Sequence, residues 1–219
     1  MAIETPKATA GDTAHALTKA GLSMIPVAGG PAVELFQHLV QPPLERRRNH
    51  WMEQVGEKLQ FLEKNGLNLN DLQNNDQFIT AVMQASTAAL RTHKADKLAA
   101  LRNAVINIAI GQVPDETVQH ILISFIDELS EMHLRVLKFA DAPKPRAGIS
   151  AGGLGHVLED NIPALRERRA LYDQLWKDLY LRSLINTESL HVMMTGNGLG
   201  QCRTTEMGTA LIKFISEPQ

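Results

Sequence analysis

The sequence predicts a mainly helical protein in two parts, an N-terminal all-α bundle followed by a small α+β domain with one β-hairpin. Three observations lead there. Apolar residues recur at helical spacing from about residue 43 to 140. Residues 141–155, "DAPKPRAGISAGGLG", hold three alanines, four glycines and two prolines, the composition of a linker. Close to the end, "LHVMM" and "CRTT" flank the glycine-rich "TGNGLGQ", as two short strands flank a turn.

Taken in order, residues 1–12 are rich in Ala, Thr, Pro and Gly and predict a mobile tail. Between Ala20 and Leu44 the only formally charged side chain is Glu34, yet Pro26, Gly29, Gly30, Pro31, Pro42 and Pro43 interrupt the stretch. A short helix from Pro31 to about Val40 is expected, then a second from Pro43 to about Asn65, each opened by a proline in its first turn. Trp51, Val55, Leu59 and Leu62 give the second helix one apolar stripe.

Asp76 is expected to cap a helix reaching about Arg91, with Phe78, Val82, Ala85 and Ala89 on one face. The next helix, through "KLAALRNAVINIAI", is apolar nearly all round and should be the central element, ended by Gly111. One long helix is expected from Asp115 to Ala140, with Leu122, Ile126, Leu129, His133 and Val136 in register. These helices make up a bundle over 13–140. Beyond a linker at 141–155, Pro163 should start a helix to about Arg182 with Leu165, Leu171, Leu175, Trp176 and Leu179 on its buried side. The hairpin and a closing helix capped by Thr204 or Thr205 complete a second domain at 156–219, with Met207, Leu211, Phe214 and Ile215 facing inwards.

The order helix, "DLYLRSLI", hairpin, "TTEMG" and final helix resembles the winged-helix family over about residues 156–217. In that family a Leu-x-x-x-Gly-Leu-Ile-like turn ends a helix, a β-wing follows, and a Thr-x-x-Gly step enters a further helix. Ser183 stands where the family usually has glycine. The resemblance implies a winged topology and, by family habit, DNA reading. Arg166, Arg168, Arg169, Lys177 and Arg203 are the residues that would contact nucleic acid. Against this, residues 155–219 carry seven basic and eight acidic side chains, and "TGNGLGQ" contains no Lys or Arg. That is a poor electrostatic footprint for phosphate contacts.

Composition narrows function further. A formal net charge of −2 gives no global attraction to nucleic acid or acidic lipid, so such binding needs a local patch. The single cysteine, Cys202, excludes an internal disulfide framework and a Cys-rich zinc site. The opening residues lack the basic-then-apolar order of a secretory leader, so a bacterial-type cytoplasmic setting is expected. Phosphate-loop, nucleophile-elbow, zincin and paired Cys-x-x-Cys motifs are not found. His120, Ser124, Asp127 and Glu131 fall on one side of the long helix, a spacing that suits a solvent face as well as half of an acid–base site. His133 lies in the apolar stripe, where one hydrogen bond satisfies a neutral imidazole. Glu34 and His38 sit one turn apart and pair locally.

No catalytic residue, metal ligand or cofactor is therefore expected. The sequence points to a non-enzymatic recognition or regulatory protein that contacts a protein partner or a second copy of itself. Arg46, Arg47, Arg48 and Trp51 are the candidate partner- or membrane-binding residues, because a basic cluster with an aromatic neighbour directly follows the apolar segment 20–40. A membrane-active effector that uses this segment, peripheral to the bilayer, is the first alternative, and a winged-helix DNA-binding regulator the second.

Overall fold

A computed structural model describes residues 31–112 and 115–218, without the side chains of 31–34 and 36–39. The expected tail at 1–12 and the first half of the apolar segment 20–40 lie outside the described residues. Two compact units are present, Met1–Glu45 and Arg46–Gln219. Of the first, the described part is helical from Pro31 onwards, with Leu35 and Val40 exposed.

Helix α1 runs from Pro31 to Lys64 without a break, where two helices were expected. Pro42 and Pro43 are taken into its interior; each removes one backbone donor but leaves the helical path intact. The second unit holds the rest: α2 (Leu69–Gln73), α3 (Asp76–Arg91), α4 (Ala95–Ala109), α5 (Glu116–Glu128), α6 (Glu131–Asp141), β1 (Ala151–Gly152), α7 (Leu154–Asn161), a 3-10 turn (Pro163–Leu165), α8 (Arg169–Leu181), β2 (Met194–Thr195), α9 (Gly196–Leu199) and α10 (Glu206–Ile215).

The mainly helical class is as expected, and α4 is the central element. Its residues from Ala100 to Ala109 are buried apart from Arg102, because it is enclosed by α3, α5 and α10. Two of its polar residues tie down the C-terminus. Asn107 Nδ2 donates to the carbonyls of Phe214 at 2.9 Å and Ser216 at 3.1 Å, and Asn103 Nδ2 to that of Ile215 at 2.9 Å. These bonds satisfy carbonyls that the last turn of α10 leaves without an intrahelical partner.

The long helix expected over 115–140 is instead two. Leu129 turns extended, and Ser130 starts α6 with a reciprocal cap: its side chain accepts from the His133 amide while its own amide donates to His133 Nδ1. Local bonds of this kind compete with the continuous helix and win. The helix expected from Pro163 to Arg182 also breaks, at Glu167, whose φ of 59° is left-handed.

The expected hairpin is not formed. "LHVMM" does not pair with "CRTT"; Met194 and Thr195 pair antiparallel with Gly152 and Ala151 of the stretch expected to be a linker. Ile185 makes a separate bridge with Thr204. The glycine run becomes the helical turn α9, capped by Thr195 Oγ1 on the Gly198 amide at 3.2 Å. Gly196 lies so close to the Ile149 carbonyl that a side chain there would collide with it, so glycine is what lets the two stretches come together.

A single buried cluster extends from Trp51 to Ile215, and α6 packs on α7, α8 and α10. The division expected at 141–155 therefore does not separate a bundle core from a C-terminal core. Pro143 is buried, and Arg146 and the Lys144 carbonyl are bound by Asp160 and Asn161 of α7.

Candidate functional site

The clearest concavity with a consistent charge lies where the second half of α1 meets the junction of α3 and α4. Trp51, 3% exposed, anchors α1 there: its indole N–H donates to Ser86 Oγ of α3 at 2.9 Å, and Val55 one turn on is also buried. One turn before Trp51, Arg47 donates to the Leu90 carbonyl at 3.3 Å, in the last turn of α3 where carbonyls lack helical partners. The chain then turns through Thr92, whose Oγ1 accepts from the Lys94 amide at 3.2 Å, and enters α4 with no side chain capping its first turn. The result is a cleft of about 490 Å³.

Among the described residues its wall carries four basic side chains, Arg47, His50, His93 and Arg102, and no carboxylate. Arg102 sits on α4 two turns beyond Ala95, with its Nε buried and without a hydrogen-bond partner among the described residues. His50 is paired with Gln54 at 2.8 Å. Asp96, the acidic residue in the first turn of α4, is engaged by Arg135 of α6 and is not part of the wall. Trp51, Leu98 and small alanines form the apolar floor. The lining combines guanidinium and imidazole groups with apolar surface beside the first turn of α4, a combination whose chemistry suits an anionic group.

No family model, curated protein or solved structure matches this chain. The site must therefore be understood from its own geometry. Of the residues singled out from the sequence, Arg47 and Trp51 come together in this cleft, while Arg46 and Arg48 are exposed on α1 outside its wall. His50, His93 and Arg102 were missed. His50 stands in "RRRNHW", His93 in "RTHK" and Arg102 in "LRNAV", and only tertiary packing brings them together.

The candidate nucleic-acid residues are scattered and partly engaged. Arg166 bonds the Glu159 carbonyl, Arg169 pairs with Asp173 at 3.5 Å, and Arg203 donates to the Gly198 carbonyl and lies against Met194 Sδ. Arg168 and Lys177 are exposed. The line of His120, Ser124, Asp127 and Glu131 is broken by the turn at 129–130: Asp127 pairs with Arg91, Glu131 with Arg135, and His120 with Gln84. Glu34 and His38 lie outside the described side chains.

A second polar cluster joins α6 to α8. His133 Nε2 lies 3.2 Å from Asp178 Oδ2, and Nδ1 lies 2.7 Å from Ser130 Oγ. Although the residue types match a hydrolytic triad, the serine is engaged in capping α6, so the geometry is that of a clamp. Burial pushes the His133 pKa below the ordinary histidine value; Asp178 opposes this, and Arg182 and Lys97 reinforce it. Lys97, donating to the Asp127 carbonyl at 2.7 Å, is also lowered, chiefly by burial and against the pull of Asp127. Beyond the end of α8, His191 Nε2 is 2.7 Å from Asp173, and its ring leans on Tyr172, whose hydroxyl pKa burial and then Glu159 raise.

Proposed function

We propose that this chain is a non-enzymatic recognition protein of regulatory character, in which an anionic group enters the cleft beside Trp51 and the protein contacts of the helical body carry the consequence. One observation supports this most: among the described residues the cleft is lined by four basic side chains and no carboxylate, in a chain whose net charge is −2. Elsewhere on the same body, Arg91, Arg135, Arg146, Arg169 and Arg182 are each paired with a carboxylate. A local excess of donors in one concave place favours binding there over binding anywhere else.

The C-terminal part supports a packing or partner role. Over residues 156–217 the winged-helix resemblance keeps a helix ending at Leu181 and a closing helix entered through the Thr205 cap, although its hairpin is not formed. Ser183, at the position the family gives to glycine, has a φ of 55°, the left-handed conformation that glycine favours. The engagement of Arg166, Arg169 and Arg203 favours partner contact over duplex DNA.

The test is charge reversal at two exposed rim positions, Arg47→Glu with His93→Glu, in the full chain in its native cell. Chemical cross-linking followed by mass spectrometry should show loss of a defined partner or of the self-association, and the purified partner should bind the wild-type chain and not the variant. An unchanged set of partners would sink the reading, as would turnover of a substrate that the variant retains.

A second reading has its own observation. In α1, exposed Leu35 and Val40 precede exposed Arg46, Arg47 and Arg48, apolar then basic, the order of a segment that lies on an anionic bilayer. Among the described residues no helix is long and apolar enough to cross a membrane. Co-sedimentation with anionic but not zwitterionic vesicles, abolished by changing Arg46, Arg47 and Arg48 to Gln, would support it. Equal recovery with both vesicle types would exclude it.

A further inference from the structure

Arg102 presents the least expected feature of the cleft. A guanidinium Nε is buried with no acceptor among the described residues, and a buried donor left without a partner is unfavourable. It lies two turns into α4, on the face that continues from Ala95 and Leu98, at the cleft wall. Around it are Arg47, which spends one donor on the Leu90 carbonyl, and His93 in the α3–α4 turn, with the uncapped first turn of α4 nearby. A phosphate group is the acceptor that suits this set, because it accepts in a fork from arginine and also from helix N-terminal amides.

The remaining space sets the size and shape of what the phosphate carries. A cleft of about 490 Å³ is far larger than an inorganic anion, and its floor of Trp51, Leu98 and alanines is apolar. Gln54 and the buried Thr92 add polar groups to the lining. We infer that the cleft binds a mononucleotide, its phosphate held by Arg102, Arg47 and the start of α4, and its base lying over the Leu98 and alanine floor next to Trp51. This rests on the reading of the cleft as the point of recognition and names the ligand class for it.

The experiment is calorimetric titration of the full chain at low salt with AMP, GMP, ATP, GTP, a cyclic mononucleotide and, as separate arms, inorganic phosphate and vesicles containing a phosphoinositide. At least one nucleotide should bind with one-to-one stoichiometry, and more tightly than phosphate alone. Arg102→Gln should weaken it by about 10- to 100-fold, the loss expected for a charge-assisted hydrogen bond. Since Arg102 is partly buried, His93→Gln in the exposed turn serves as the second variant, with an unchanged thermal transition as its folding control. The inference is overturned if no nucleotide binds, if both variants bind as the wild type does, or if only the vesicles bind in an Arg102-dependent manner. Should that happen while charge reversal at Arg47 and His93 still removes the cellular partner, the ligand class is wrong and the recognition reading stands.

Discussion

His133 Nε2 lies 3.2 Å from Asp178 Oδ2, and this pair links α6 to α8 across the stretch expected to be a flexible boundary. The imidazole is half-buried, with its pKa lowered chiefly by that burial, and Asp178, Arg182, Lys97 and Ser130 are the polar groups facing it. A histidine whose folded pKa is depressed binds fewer protons folded than unfolded. Its contribution is therefore complete above the ordinary histidine value of about 6.5 and is lost as pH falls through the lower folded value. Urea midpoints should drop between pH 7.5 and pH 5, and His133→Gln should flatten that drop. A variant that keeps the full pH dependence would place its origin elsewhere.

Gly208 occupies the last position of "TTEMG" with its Cα facing the Leu184 carbonyl, so an added methyl would lie well inside contact distance of backbone. Thr205 Oγ1 caps the same residue's amide at 3.1 Å. Gly208→Ala should cost about 1–3 kcal/mol, the range for overpacking, read from a lower urea midpoint at constant slope. Gly56, with open space around it, is the control: Ala there should be neutral or stabilising.

Asn107 gathers three carbonyls at the end of α10, the third being Lys213 at 3.4 Å. Asn107→Leu removes the shared donor and leaves buried acceptors unpaired, at about 1–3 kcal/mol. Hydrogen exchange should show faster opening of α10 than of α8. Equal protection would mean that the carbonyls find other partners.

Trp51→Ala should release α1 rather than unfold the body, because α1 is held to α3 mainly through Trp51 and Val55 and the bonds of Trp51 to Ser86 and Arg47 to Leu90. Trypsin should then cut sooner at Arg46, Arg47 and Arg48. The emission of Trp176, the other tryptophan, should stay that of a buried indole bonded to the Thr187 carbonyl. Simultaneous loss of both signals would show that α1 and the core unfold together.

The helical faces were legible because they are written in local periodicity: the buried stripe of α3, the all-round burial of α4 and the inward Leu211, Phe214 and Ile215 of α10 follow from spacing alone. The cap of α10 by Thr205 was equally readable, whereas α3 takes its cap one residue earlier, from Asn75. What escaped depends on choices that sequence marks weakly. A serine–histidine cap stops one helix at Leu129, and a left-handed glutamate stops another at Glu167. The strand partner of Met194 is Gly152, far back in the chain rather than across the nearest glycine turn. The cleft was half visible: the arginines and the tryptophan of α1 share a motif, but His93 and Arg102 join them only when α1 lies on the start of α4.

The Gly152–Met194 pairing and the grip of Asn161 on the Lys144 carbonyl secure both flanks of the surface loop at 144–148. A protease that severs that loop would yield two fragments that stay together, eluting as one species under native conditions and separating only in denaturant. Each half would depend on the other to complete its interior, so the two could be produced separately and reassembled as a split protein.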